Sequence, residues 1–436
     1  MEKRAYYKAF ARYSVLSVLG TVGVSCYILA DTFFIARSLG AGGLAALNIA
    51  IPAYNVIYGM GLMLGMGGAT KFSICKGQGD EARGGTVYRN ILVLGAVAAL
   101  VFVLAGTFFP GKLAALLGAD AEILQPTTTY LRWLLLFAPA FLFNNILLCF
   151  VRNDGAPQLV AAAMLAGNFA NIVLDYILIF PCGMGILGAV LATGASPVIS
   201  MLLLSLHWKS GKSSLGFGRV RLSATLMLQS LSLGLPSLLA QLSSGVTMVV
   251  FNLLILRLAG NVGVAAYGII ANIALVVTAV YTGLSQGVQP LVSDCCGRGQ
   301  REGVAVYLRC SMAAMAAVSV VVYLLLSGFA LQVTAAFNSG QDAQLQAAAV
   351  TGLRLYFTSN LFVGFNTILT VFFTSTGRAL PAHFLSLLRG LVLIVPAAVL
   401  LSACWGMTGV WLAYPVAEAV AAVLGGAAWR RVSKIK

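Results

Sequence analysis

Followed from end to end, the chain alternates between long apolar stretches and short polar breaks, beginning at Tyr13 and closing at Ala428. Each stretch suits a helix of roughly 20 residues, the length needed to cross a hydrocarbon layer ~30 Å thick. The pattern predicts twelve spans, near 13–37, 44–71, 87–109, 124–150, 158–180, 186–208, 223–256, 264–293, 304–328, 346–374, 382–403 and 408–429. Within the fifth, Asn168, Asn171 and Asp175 fall at i, i+3 and i+7, a polar stripe on one helical face that is poorly suited to lipid.

Composition turns the pattern into a class. Hydrophobic residues make up 60% of the chain and charged ones 9%, against about 25% charged in a soluble domain; mean hydropathy is +0.94. The 47 glycines would be costly in soluble helices but let membrane helices approach closely. A net charge of +15 would suggest nucleic acid in a soluble protein, but here the charges have a topological role. With the N-terminus inside, all but five of the 27 Lys and Arg residues fall at cytoplasmic ends, including Arg152, Lys212, Arg219, Arg431 and Lys434. The five on the outer side are Arg37, Lys112, Arg132, Arg257 and Arg354. A multi-pass bacterial inner-membrane protein with both termini cytoplasmic is expected, its first apolar stretch a retained helix and not a cleaved signal. Eight scattered cysteines imply neither a metal site nor a disulfide framework, and Cys295–Cys296 is placed in a cytoplasmic loop. His207 and His383, at span ends, are read as interfacial. Gly77-Gln78-Gly79-Asp80 is a turn, since it lacks the ending a phosphate loop needs.

The chain also repeats itself. Residues 36–90 align without gaps on 256–310, matching Arg37 with Arg257, Gly40 with Gly260, Gly67 with Gly287 and Cys75 with Cys295. Weaker echoes link Gly185 and Gly188 to Gly406 and Gly409. The expected domains are an amino-terminal six-helix lobe, 1–208, a cytoplasmic linker, 209–222, and a carboxyl-terminal six-helix lobe, 223–436. An even number of spans per half gives both the same topology, the parallel-repeat plan of secondary transporters.

Several stretches resemble the multidrug and toxic compound extrusion (MATE) transporters, of the MepA-like and DinF-type branch. They are Asp31-Thr32-Phe33-Phe34-Ile35, Gly65-Met66-Gly67-Gly68-Ala69-Thr70 and Gly77-Gln78-Gly79-Asp80 in the first half. Ala265-Ala266-Tyr267-Gly268-Ile269 and Gly283-Leu284-Ser285-Gln286-Gly287 carry it in the second. The resemblance implies an all-α integral membrane fold of two six-helix bundles set in a V. It also implies an antiporter that exports amphipathic organic cations in exchange for H+ or Na+, with no other cofactor.

A carboxylate at membrane depth costs at least ~2.5 kcal/mol to insert, so an intramembrane acid calls for a function. Asp31, Asp175 and Glu418 are such acids. Counting residues from the outer span ends at ~1.5 Å each puts Asp31, Asp175 and Thr193 at one level, roughly 9–12 Å below the outer face. By the resemblance, Asp31 and Asp175 are the ion-binding carboxylates, with Asn171 and Thr193 supplying neutral oxygens to a proton site or a Na+ cage. Two departures stand against it. The proline that many relatives carry in the inner half of the first span is missing from Tyr13–Val18, and the carboxyl-lobe acidic site of another branch is absent. Tyr54, Met60, Met63, Phe137 and Phe141 suit a greasy pocket for flat cations. Arg389 and Glu418 are read as a structural pair. A monomer in contact with membrane lipid and small cationic compounds, and not with nucleic acid, is expected. The rival reading is a lipid-linked saccharide flippase, which should carry basic residues inside its cavity where this chain keeps arginine at the rims. An intramembrane enzyme is the remote third, lacking the sequence context such aspartates need.

Overall fold

The computed structural model describes residues 2–209, 211, 213–216, 218, 221–338 and 342–434. Lys212 and Arg219 of the linker, and the side chains of Arg431 and Lys434, lie outside the described residues. Those that are described form helices and no strand. The first half contains α1 (Glu2–Gly77), α2 (Glu81–Phe108), α3 (Pro110–Leu116), α4 (Leu124–Leu136), α5 (Ala138–Asn153), α6 (Pro157–Ile179), α7 (Gly185–Leu204) and α8 (Leu206–Lys209). The second contains α9 (Ala224–Gly297), α10 (Arg301–Gly328), α11 (Ala330–Phe337), α12 (Ala343–Tyr356), α13 (Asn360–Ser375), α14 (Ala379–Leu387) and α15 (Ile394–Lys434), with a π turn at Leu388–Val392.

Nine helices among the described residues are long and apolar enough to cross a membrane, and the pair α4 and α5, bent by 45°, adds a tenth. Two of the nine, Ala224–Gly297 at 74 residues and Ala379–Arg430 at 52, are each long enough for two crossings, which gives the twelve expected spans. The fold is the all-α membrane fold expected. Cys295 and Cys296 belong to the last turn of α9, not to a loop.

The duplication is visible in the backbone. α1 turns between its first two spans at Gly40 (φ 63°, ψ −151°), and α9 does the same at Gly260 (φ 60°, ψ −154°). This region of φ/ψ space is essentially reserved for glycine, which is why the aligned pair must be Gly. The short helices α3 and α11 occupy matching places after the third and ninth spans, a detail the apolar pattern does not foretell. In α1, Gly40 alone has non-helical torsions, so the first span runs unbroken without the family proline.

One face of the molecule collects Lys3, Gly79, Asp154, Gly299 and Trp429; it is termed the terminal face. Lys3 lies 3.7 Å from Glu302 there, and Trp429 packs on Phe372 with ring centroids 5.0 Å apart. Gly40, Gly185, Gly260 and Gly406 turn the chain at the opposite, far face. The halves meet through α1 and α9. A Cβ on Gly67 would sit 2.0 Å from Ser230 O, one on Gly283 2.6 Å from Val18 Cα, and one on Gly287 2.6 Å from Tyr13 O, so hydrogen at these positions is what permits the approach. Among the described residues, hydrogen bonds between the halves reach toward the far face only as far as Ser25 Oγ to Leu275 O, 3.3 Å. The rest lie nearer the terminal face, including Thr21 Oγ1 to Ala279 O at 2.8 Å and Gln289 Nε2 to Thr70 Oγ1 at 2.9 Å.

Candidate functional site

The polar stripe of the fifth span lies on the inward face of α6. Asn168, Asn171 and Asp175 are buried, while Phe169 and Tyr176 on the same helix are exposed. The stripe faces the first span, where Gly20 and Gly23 leave room: a Cβ on Gly23 would lie 2.7 Å from Asn168 Nδ2, which donates to Gly20 O at 3.3 Å. Asp31 of that span is 6% exposed and Asp175 0%. The two carboxylates are electrostatic neighbours, and Tyr130 of α4 stands within reach of both and of Thr193. Four elements thus converge on one spot, and Tyr130 is a member that no spacing argument finds.

Asn171, one turn before Asp175, satisfies its neighbours with Nδ2 donating to Asp175 Oδ2 at 3.1 Å and Oδ1 accepting from Thr193 N at 3.3 Å. In that orientation its nitrogen gives Asp175 a donor. Thr193 spends its hydroxyl proton on Ala189 O, 2.9 Å away, and its oxygen faces the Tyr130 hydroxyl. Asp31 Oδ1 and Asp175 Oδ1 are buried with no hydrogen-bond partner. Burying such an oxygen without a donor is costly. Two acids, one neutral donor and one hydroxyl oxygen suit proton exchange directly; a Na+ ion would be held by Asp31, Asp175 and the Thr193 hydroxyl, with Asn171 turned away.

Beside this group lies a narrow cavity of about 50 Å³ lined by Tyr27, Tyr54, Tyr58, Phe141, Asn168 and Thr193, among others. Tyr54 stacks on Tyr58 at 5.7 Å, meets Phe141 edge-on at 5.6 Å and joins the Tyr27 hydroxyl at 3.1 Å. Of the expected pocket residues, Tyr54 and Phe141 line this cavity, whereas Met60, Met63 and Phe137 do not. The cavity side of the second span runs Tyr54, Tyr58, Leu62, one residue per turn, and Met60 and Met63 are rotated off it. Met63 presses its carbonyl toward Gly234, and the Phe137 ring covers Gly194.

Among the described residues of the second half, the buried acid of the last span is paired. Arg389 sits on the π turn, which places its Nη2 2.8 Å and its Nε 3.0 Å from Glu418 Oε1. Asn366 Nδ2 donates to Glu418 Oε2 at 2.6 Å, and Arg389 Nη1 to Thr367 Oγ1 at 3.2 Å. Charge there is matched and hydrogen-bonded.

Two features at the terminal face depart from expectation. His207 is buried, not interfacial, with Nε2 2.8 Å from Asp154 Oδ2. Asp154 also takes Lys76 Nζ at 2.5 Å, Ser214 N at 2.8 Å and the Ser214 hydroxyl, so one carboxylate ties the linker to α1, α5 and α8. Burial pushes its carboxyl up, but the hydrogen bonds from Lys76, Ser214 and His207 outweigh that and hold it below the ordinary carboxylate range. Arg152, expected at the rim, is 1% exposed and borders the cavity. Its position one residue before the end of α5 reads as a rim charge, and only the packing of the second half over it shows otherwise.

Against known proteins, residues 17–177 and 236–400 match the family model MatE. "Multidrug export protein MepA" of Staphylococcus saprophyticus is 28% identical over 97% of this chain and 93% of its own length. The protein of the same name from Staphylococcus aureus MSSA476 is 26% identical over the same shares. A solved structure, "Outward-facing conformation of a multidrug resistance MATE family transporter of the MOP superfamily", superposes with a TM-score of 0.91 at 24% identity, covering 98% of this chain and 96% of that one.

Proposed function

This chain belongs to the MatE family and is a membrane transporter, not an enzyme; on that premise we propose that it is a secondary antiporter that exports amphipathic organic cations against an inward flow of protons. The observation that carries the proposal is the pair of buried carboxylates, Asp31 and Asp175, each with an oxygen lacking a donor, beside an aromatic-lined cavity. The names of the MepA relatives support drug export. The Asn171 amide, which turns its nitrogen to Asp175, favours the proton over Na+.

In this reading residues 1–208 and 223–436 act as two lobes, with the terminal face cytoplasmic in a bacterial inner membrane and the protein monomeric among lipids. Joined near the terminal face, the lobes present the cavity outward. Protons from outside neutralise Asp31 and Asp175, which weakens the hold on a cation and repacks the first span against α6 and α7. The cation leaves, the lobes rock about their contact, and proton release inward restores the charge that recruits the next cation. A ligand drives such a cycle only through unequal affinity for the two facings.

The test is substrate-driven ion flux in proteoliposomes under separate pH and sodium gradients. Ethidium movement coupled to the pH gradient alone is expected. Coupling to sodium alone would replace the proton, and no coupling to either would reject antiport.

A further inference from the structure

Among the described residues, Arg152 is the largest side chain that is fully buried. Nη1 donates to Gln286 Oε1 at 3.0 Å across the contact between the halves, and Nη2 approaches the Met164 sulfur at 3.9 Å. Nε is buried with no partner at all. The ion pairs formed by the described residues do not include Arg152. The second half shows what a settled buried arginine looks like, since Arg389 meets Glu418 there. A permanently charged guanidinium sealed from water with no anion is a costly arrangement. It is retained here on the wall of the cavity that Tyr54, Tyr58 and Phe141 also line.

We propose that Arg152 is an oxyanion site in the amino-terminal cavity, so that the compounds bound there include aromatic zwitterions and anions as well as simple cations. The inference rests on the transport reading above and refines its substrate class. A guanidinium fork matches a carboxylate or a phosphate with two parallel bonds, and the free Nε together with Nη2 supplies such a fork. The tyrosines beside it offer flat faces to an aromatic body. Met164, which touches Arg152, precedes Asp175 by eleven residues of α6, so the positive and negative ends of the site stand roughly 16 Å apart along that helix. An aromatic compound with a carboxylate or phosphate on Arg152 fits this end of the cavity whether or not it also carries an ammonium. Because Nη1 of the same guanidinium holds Gln286, an oxyanion on Nε and Nη2 sits beside a bond between the lobes, which ties occupancy to their contact.

The test measures equilibrium binding of Nε-dansyl-lysine and of its methyl ester to the full-length protein in detergent. The acid should bind at least roughly tenfold more tightly than the ester, as a charge-assisted pair out of water requires. In R152Q that ratio should fall to near one. Q286E, which places a carboxylate against Arg152, should abolish it as well and stands in if R152Q does not fold. A wild type without acid preference, or either variant that keeps it, overturns the proposal. Dioctanoyl phosphatidylglycerol separates the two sources of oxyanion: displacement of the dansyl acid at lower concentration than unlabelled lysine derivatives assigns the site to lipid phosphate, and its failure assigns it to a carried carboxylate. Failure of ion-coupled ethidium flux in the wild type would sink the antiport reading alone and leave this comparison intact.

Discussion

Asp31 and Asp175 each leave one oxygen without a donor inside the first half, and such an oxygen needs a proton, a cation or a substrate ammonium. Replacing either by Asn keeps the shape and removes the exchangeable charge. D31N and D175N should each lower ion-driven dye efflux from whole cells at least tenfold while reaching the membrane in normal amount; unchanged efflux would reject the coupling site. The paired acid behaves differently, because in E418Q the amide oxygen still accepts from Arg389 and Asn366 Nδ2 keeps the carbonyl of residue 418, and efflux should fall far less than in D31N. The residue scale is also where reading the sequence succeeds and fails most sharply. Asp31 and Asp175 stand out because an acid within an apolar run has few explanations, and the Asn168–Asn171–Asp175 spacing fixes one face of one helix. Arg152 and Asp154 stay hidden, because a charge at a span end looks alike whether it meets water or another helix. Tyr130 stays hidden because tyrosine is ordinary in an apolar run.

At the scale of elements, the spans and their turns follow from apolar lengths and repeated glycines, whereas the π turn at Arg389 leaves no mark in the sequence. The turn glycines give a clean test. Gly40 and Gly260 hold φ near +60° with nothing within 4 Å of the place an added methyl group would take, so alanine there meets backbone strain alone. G40A and G260A should each cost on the order of 1–3 kcal/mol in thermal unfolding. Gly42, equally open but helical, should accept alanine with no loss. The linker supplies a second test. Asp154 gathers Lys76, His207 and Ser214, and its carboxyl sits below the ordinary range. Its contribution is therefore fully present above about pH 4, the unfolded value, and is lost as pH falls through the lower folded value. D154N should lower the unfolding free energy of purified protein at pH 7 by an amount on the order of 2 kcal/mol after discounting the partly exposed Lys76. The gap to wild type should close as pH drops below 4, and a gap that widens would refute the assignment.

For the molecule as a whole, the question is what holds the two halves in their present relation. Backbone contact at Gly67, Gly283 and Gly287 gives the seam its closeness, and a small polar network gives it direction. Gln289 Nε2 donates to Thr70 Oγ1 at 2.9 Å and Ser293 Oγ at 3.2 Å, its Oε1 accepts from Asn153 Nδ2 at 2.9 Å, and Asn153 Oδ1 accepts from Ser73 Oγ at 2.7 Å. On the proposed cycle, in which the lobes rock about this seam, these bonds belong to one facing and set its equilibrium without touching cargo or coupling ion. Removing them should populate the other facing, by a shift of roughly 1–3 kcal/mol, or five- to a hundredfold in population. Q289A should then raise hydrogen–deuterium exchange at 66–77 and 283–297, where the seam opens, and leave exchange around Gly40 and Gly260 unchanged. Uniform loosening of the whole chain would instead mean that Gln289 serves stability alone. The same variant should bind ethidium from the terminal face more readily than wild type, since a seam that opens more often exposes the cavity to that side.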